Sequence, residues 1–284
     1  MEKISHTLRC GDKIIDVSSP LVMSILNVTP DSFYGPSRIE LKSGALIDVA
    51  GKMLEDGAGI LDIGGMSSRP GAVEIEPAEE LDRVIPAIES IRQAYPDAII
   101  SVDTYRSEVG RAAITAGAGM INDISGGSLD PSMIDVITDH PVAYVLMHMR
   151  GTPATMQSDT HYNDLISEIV KYFVNKLRTL HHRGIRDIII DPGFGFSKTM
   201  DQNFQLIDQL GVFRFLECPV MIGLSRKSSL SQAIGRPVEE TLYATTALHM
   251  VALEQGATIL RVHDVKPAVD AIAIYSKLQR DKKH

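Results

Sequence analysis

The chain has 284 residues, a length that about 150 residues per domain would divide in two but that an α/β barrel uses whole. Hydrophobic residues make up 44% and charged residues 23%, and 28 Lys plus Arg against 36 Asp plus Glu leave a net charge of -8, which excludes a disordered chain and argues against a basic nucleic-acid footprint. Cys10 and Cys218 are too few for a disulfide scaffold or a Cys-rich metal site, and no long uncharged apolar run marks a signal peptide or membrane span; the expectation is a cytoplasmic protein with neither nucleic acid nor membrane as partner.

In chain order, TLRC-GD-KIIDV reads as two short strands around a tight turn, so residues 1–20 are predicted to form a hairpin extension. LVMSILN (21–27) is a strand, and the non-periodic segment 28–42 leads to a helix over 43–56, where Leu46, Val49, Ala50, Met53 and Leu54 make one apolar stripe. GILDIG (59–64) is the next strand. Beyond it, Pro77 with Glu79, Glu80 and Asp82 opens a helix that runs to residue 94. Strands over 98–104, 120–124 and 142–149 then alternate with helices over 106–116, 131–139 and 162–182. The last third continues with strands at 187–192, 219–225 and 258–264 and helices at 202–210, 227–233, 238–255 and 266–280.

Most strand runs are nearly continuously apolar rather than alternating, which marks strands covered on both faces. EDGAGILDIG, TAGAGMINDI, HHRGIRDIII and EQGATILRV each place a glycine between helix and strand, where a left-handed cap turns the chain back sharply. Eight strand–helix units predict an α/β fold of the (β/α)8 barrel type, residues 1–284 forming one domain with the hairpin over its amino-terminal face.

Functional groups of such a barrel gather at the carboxyl ends of the strands. There the chain places Asn27, Asp62, Asp103, Asn122, His148, Asp191, Ser225, Arg261 and His263. A single Asp or Asn at a strand end is as readily a cap or turn former; their joint position around one rim points to a site. Arg261 and His263 are two apart on one strand and face the same way. With Lys227 in GLSRKSSLS, whose serines and helix-start amides suit an anion, they concentrate positive charge where this architecture holds phosphate. Arg226 reads as a solvated neighbour.

Asp103, Asn122 and Asp191 suit either a divalent metal or a flat, nitrogen-rich ring whose amino group and adjacent N–H donate two parallel hydrogen bonds to a carboxylate. The sequence has no HExxH-like ligand cluster, and a loosely held Mg2+ shared with substrate phosphates is readily accommodated. GGMSSRPGA (64–72) lacks the spacing of a nucleotide-binding glycine loop and reads as a substrate-covering loop. Phe194 and Phe196 are each a candidate wall for a flat ligand or a core residue, and Met147 is placed to touch an aromatic ligand at the rim.

Eight stretches carry a resemblance over nearly the whole chain: MSILNVTPDSF (23–33), DIGGMSSRPGA (62–72), VDT (102–104), INDISGG (121–127), MHM (147–149), DPGFGF (191–196), GLSRKS (223–228) and LRVHDV (260–265). In this order they resemble the dihydropteroate synthases of the pterin-binding barrel group. The resemblance implies condensation of 6-hydroxymethyl-7,8-dihydropterin diphosphate with 4-aminobenzoate, through an SN1-like, Mg2+-assisted loss of diphosphate, by a homodimer.

It further implies a pterin site of Asp103, Asn122, Met147, Asp191, Phe196, Gly223 and Lys227. The diphosphate falls to Asn27, Arg69, Arg261 and His263, with Asn27 on the metal. The aminobenzoate falls to Ser68, Arg69, Pro70, Phe196, Lys227 and Ser228. Lys227, Arg261, His263 and Asp103 are the implied catalytic groups, with Asp31 and Phe33 on the first loop. The chain departs from the family pattern at Tyr34-Gly35-Pro36-Ser37, where Ser-Asp-Gly-Gly is usual, and at Ser68, where Thr is usual. A pterin-dependent methyltransferase would share the acidic arc without needing Lys227, Arg261 and His263 as a diphosphate grip; a non-catalytic pterin-binding barrel would bind without turnover.

Overall fold

A computed structural model describes residues 7–28, 44–66 and 74–281. Asp31, Phe33, Ser68, Arg69 and Pro70 lie outside the described residues. Strands β1 (Thr7–Cys10) and β2 (Lys13–Asp16) pair antiparallel around Gly11, whose φ of 69° supplies the left-handed backbone that a tight hairpin turn needs.

Eight further strands follow: β3 (Leu21–Asn27), β4 (Ile60–Gly64), β5 (Ile100–Asp103), β6 (Met120–Asp123), β7 (Ala143–Met147), β8 (Ile188–Asp191), β9 (Met221–Ile222) and β10 (Ile259–Val262). They alternate with helices α1 (Gly44–Glu55), α2 (Pro77–Ala94), α3 (Ser107–Thr115), α4 (Met133–Asp139), α5 (Leu165–His182) and α6 (Met200–Asp208). Helices α7 (Ser228–Ile234) and α8 (Leu242–Glu254) separate β9 from β10, and α9 (Val265–Asp281) follows. The eight strands are parallel in the order β8-β7-β6-β5-β4-β3-β10-β9. The ring closes where Ile190 N–H donates to the Pro219 carbonyl at 2.9 Å, beside a parallel bridge between Ile190 and Val220.

Alternation along each strand sorts the side chains into two cores. Leu61, Ile63, Ile100, Val102, Ile121, Leu146, Ile190 and Leu260 face outward into the helix layer. Met23, Ile60, Met120, Val145, Ile189, Met221 and Ile259 face inward and form the barrel floor, and Leu8, Cys10 and Val17 of the hairpin region pack beneath them. These floor residues lie toward the starts of their strands, so the hairpin covers the amino-terminal face, as its sequence predicts.

Three of the boundary differences from the sequence reading have an identifiable local reason. The helix expected at 202–210 starts two residues earlier, because Thr199 and Gln202 form a reciprocal capping box; a 3-10 segment, Leu210–Leu216, then takes up the chain. The strand expected at 219–225 contracts to Met221–Ile222, since the Pro219 carbonyl is spent on closing the ring and Ser225 turns to His263. The helix expected at 238–255 divides into a short 3-10 turn and α8 at the buried Thr241, whose hydroxyl donates to the Val238 carbonyl at 2.6 Å.

Helix α8 buries His249 and Thr245 one turn apart, and neither ring nitrogen of His249 has a hydrogen-bond partner among the described residues. Burial pushes the His249 pKa down from 6.5 to about 4. The unfolded chain therefore binds the extra proton between those values, so stability is lost as pH falls from about 6.5 toward 4, by about 3 kcal/mol from this residue. His249→Met is expected to flatten this part of the acid limb. Urea unfolding at pH 7 and pH 4.5 checks it, and equal pH dependence in both proteins would refute the assignment.

Candidate active site

Beyond the apolar floor, most strands turn polar on the same inward face. The inward series Met23-Asn27, Ile60-Asp62, Met120-Asn122, Ile189-Asp191 and Ile259-Arg261 puts oxygen and nitrogen groups around one mouth. Its centre is a charge cluster. Arg261 donates through Nε to Asp62 Oδ2 at 2.7 Å and through Nη2 to Asp103 Oδ2 at 2.5 Å, and Asn122 Nδ2 donates to the same Asp62 oxygen at 3.0 Å.

Asp62 is fully buried, while the Asp103 side chain keeps 12% of its surface open to the mouth. Burial raises the Asp103 pKa to about 7 against the pull of Arg261, with Asp62 adding to the rise. Burial works against the charge of Arg261 as well, but the two carboxylates outweigh it and hold the guanidinium above its ordinary range. A methyl group added to Gly64 would stand 3.5 Å from Asn27 Oδ1 and 3.5 Å from Asp103 Cβ, in ordinary van der Waals contact with both, so this glycine lies directly between the two side chains.

Asp191, at the end of β8, lies on the opposite arc. Its Oδ1 accepts the Gly193 N–H at 2.7 Å. Burial pushes its pKa up, while that hydrogen bond and the charges of Lys227, Arg261 and Lys198 pull it down. Lys227 precedes α7 and holds Nζ 4.3 Å from the centre of the Phe196 ring, a cation–π contact. Phe196 in turn shares a small apolar cluster with Met147, Ile124 and Met156. A Cβ on Gly223 would lie 4.0 Å from Arg261 Cβ. His263 stands beyond Arg261, its Nδ1 3.2 Å from Ser225 Oγ, and Ser228 is the first residue of α7.

The structure thus brings Asn27, Asp103, Asn122, Asp191, Gly223, Lys227 and Arg261 around one opening, with Met147 and Phe196 as an apolar wall. His148, counted with the rim residues in the sequence, is not part of it. One step past Met147, it points outward, where its ring packs edge-on against Tyr172 at 5.0 Å between centroids. Phe194 is a core residue, 1% exposed. Arg226 turns away to pair with Asp264 at 2.8 Å.

Four participants escaped sequence reasoning. Asp62 was legible as a strand-end acid with the inward parity of Asn122, yet it received no role. Lys198 follows DPGFGFS and drew no assignment, but it is buried. Arg106 donates to Glu80 at 2.9 Å and to the Ile75 carbonyl at 2.6 Å, and Arg83 donates to the Gly65 carbonyl at 2.8 Å. These arginines anchor the flanks of the segment that carries Ser68, Arg69 and Pro70.

Acceptors interleaved with cations, Arg261 between Asp62 and Asp103 and Lys227 facing Asp191, and an aromatic wall beside them define a mouth for a flat, hydrogen-bonding ring with an anionic tail. Residues 23–263 match the family described as "Pterin binding enzyme". The dihydropteroate synthase of a Synechocystis species is 42% identical over 91% of this chain and 90% of its own length; that of Escherichia coli K12 is 40% identical over 92% of each. Among solved structures, Xanthomonas albilineans dihydropteroate synthase with 4-aminobenzoic acid matches with a TM-score of 0.88 and 39% identity, covering 97% of this chain and 98% of that one. A Yersinia pestis dihydropteroate synthase complex with a sulfonamide drug matches with a TM-score of 0.89 and 38% identity, over 97% of this chain and 100% of that one. The chain belongs to the pterin-binding enzymes and, among them, to the dihydropteroate synthase family.

Proposed function

We propose that the chain condenses 6-hydroxymethyl-7,8-dihydropterin diphosphate with 4-aminobenzoate, releasing diphosphate and forming 7,8-dihydropteroate. The observation that carries this reading is the shared mouth: Arg261 joins Asp62 and Asp103 beside Asn122, while Asp191 faces Lys227 and Arg261 across it.

Asp103, Asn122 and Asp191 hold the ring. A carboxylate accepts the paired N–H groups of a 2-amino-pyrimidinone edge through two charge-assisted hydrogen bonds. Met147, Gly223 and the Phe196–Lys227 pair bound it on its sides. Arg261 and His263, the latter steadied by Ser225, face the diphosphate and neutralise charge that grows as the exocyclic C–O bond breaks. Ring electrons stabilise the resulting methylene cation. The weakly basic aryl amine then attacks it and sheds its proton, so no strong general base is required. Ser68, Arg69, Pro70 and Ser228 complete the aminobenzoate side, with Arg69 also toward the diphosphate. Asp31 and Phe33 serve on the first loop, and both loops keep water from the cation.

Among the described residues no group of three or more His, Cys, Asp or Glu could hold a metal ion. The Asn27 amide oxygen, at the end of β3 on the mouth, would be the protein ligand of an ion such as Mg2+ that takes most of its ligands from phosphate and water. When bound, Mg2+ supplies further charge neutralisation to the departing diphosphate.

The diagnostic experiment incubates the protein with dihydropterin diphosphate, 4-aminobenzoate and Mg2+ and follows dihydropteroate. Absence of product under all metal conditions ends the proposal. Pterin binding without turnover would favour a non-catalytic barrel. Turnover that tolerates an unphosphorylated pterin equally well would remove the role of the cationic arc.

We also propose that two copies assemble. Tyr243 of α8 is 83% exposed and Ile274 of α9 is 58% exposed, and α8 carries apolar residues on every face, as a helix covered by a partner does. Light scattering is expected to return the mass of a pair, and the mass of one chain would end this part. No helix among the described residues is long and apolar enough to cross a membrane.

A further inference from the structure

Lys198 closes the turn that begins at Asp191, and its side chain is 3% exposed. Its Nζ donates to the carbonyls of Gly193 and Phe196, each at 3.0 Å, and stands 3.2 Å from His148 Nδ1. Three acceptors match the three N–H groups of an ammonium. His148 is then the neutral acceptor; burial, followed by the charges of Lys198 and Arg150, holds its pKa well below the ordinary histidine value.

The carbonyls that Lys198 ties belong to the residues that set the pterin end of the mouth. Gly193 O also accepts the Phe196 N–H at 3.1 Å, and Gly193 N–H donates to Asp191 Oδ1 at 2.7 Å. One bond therefore separates Lys198 from the carboxylate and from the aromatic wall.

We propose that Lys198 is a positioning residue for pterin recognition: its buried ammonium locks the 193–196 turn and lends its charge to Asp191, which stays ionised and aimed at the ring. This rests on the function proposed above. Asp191 is faced by Lys198 from its own turn, by Lys227 at the start of α7 and by Arg261 of β10. Burial, with the charge of Arg150, brings the Lys198 pKa down to about 7 against the pull of Asp191, so Lys198 carries its charge on the acid side of that value, where its effect on Asp191 is read. His148 is its third neighbour, with Tyr162 and Tyr172 packed around the His148 ring. Burial drives Asp191 toward protonation and Lys198 is one of the charges that oppose it. Removing Lys198 raises the pH at which Asp191 becomes neutral, and ring binding fails on the acid side sooner.

The test is calorimetric titration of the full-length protein with 6-hydroxymethyl-7,8-dihydropterin between pH 5 and pH 8. Lys198→Met is expected to move the acid midpoint of binding up by about one pH unit, with about a tenfold loss of affinity below it. Lys198→Arg retains the charge and is expected to leave the midpoint within about 0.3 unit of wild type even where crowding weakens binding. A structural brace alone would weaken binding equally at every pH, and a Met variant whose midpoint coincides with wild type overturns the assignment. Should the Met variant fail to fold, an Arg variant with a displaced midpoint overturns it. Wild-type protein that does not bind the pterin at any pH overturns the proposed function and this inference together.

Discussion

Replacing Arg261 with Ala is expected to destabilise the fold by about 3–5 kcal/mol and to lower kcat/KM by about three orders of magnitude. The reason is a charge count in a confined place. Asp62 is fully buried, Asp103 nearly so, and one guanidinium serves both through separate nitrogens. Removing one partner of a buried ion pair leaves uncompensated charge, which costs far more than the intact pair contributes. With Arg261 present, burial already brings Asp103 to about 7; without it, the cluster takes up a proton and loses an acceptor for the ring.

The same variant also lacks the guanidinium proposed to face the departing diphosphate. Recognition and chemistry are therefore expected to fail together, whereas a guanidinium serving the diphosphate alone would affect turnover only. Arg261→Lys is expected to rescue little, since a single ammonium cannot reproduce two divergent N–H donors. Urea unfolding and steady-state kinetics measure both effects. A stability change under about 1 kcal/mol with activity within about tenfold of wild type would contradict the account.

Gly193→Ala is expected to be the most damaging single methyl near the site, with a stability loss above about 3 kcal/mol and a pterin affinity loss of about a hundredfold. Gly193 has φ +74°, and an added Cβ would fall inside the His148 carbonyl oxygen, a backbone atom at the end of β7. That oxygen has little freedom, because the His148 N–H donates to the Asp191 carbonyl at 2.9 Å. Relief requires the 193–196 turn to swing away, which withdraws the Gly193 N–H from Asp191 and shifts Phe196 under Lys227.

Gly184→Ala is the matched control. Its φ is +83° with nothing within 4 Å of the added methyl, so it is expected to cost about 1 kcal/mol from backbone strain alone and to leave pterin binding unchanged. Equal losses in the two variants would mean that backbone strain, and not the clash with His148, governs the site.

The inward order of the barrel mouth was legible wherever strand parity fixed it. Ile60-Asp62, Met120-Asn122, Ile189-Asp191 and Ile259-Arg261 each read as an apolar floor residue and a polar rim residue two steps apart. The same rule, applied without a pairing register, left His148 among the rim residues when its parity turns it outward. The early start of α6 was also readable, since Thr199-x-x-Gln202 is a capping signature. The division of α8 at Thr241 had no comparable signal.

Local spacing therefore determined the eight strand–helix units, the hairpin over the floor and the ring of polar groups, because backbone periodicity and turn chemistry act over a few residues. Contacts between residues far apart in the chain were decided only by tertiary structure. Arg261 meets Asp62 across 199 positions and Asp103 across 158, and Lys198 becomes a buried cation because His148 and two carbonyls converge on it. Whether a charged side chain is solvated or enclosed depends on what the closed barrel brings around it, and no window of neighbouring residues contains that information.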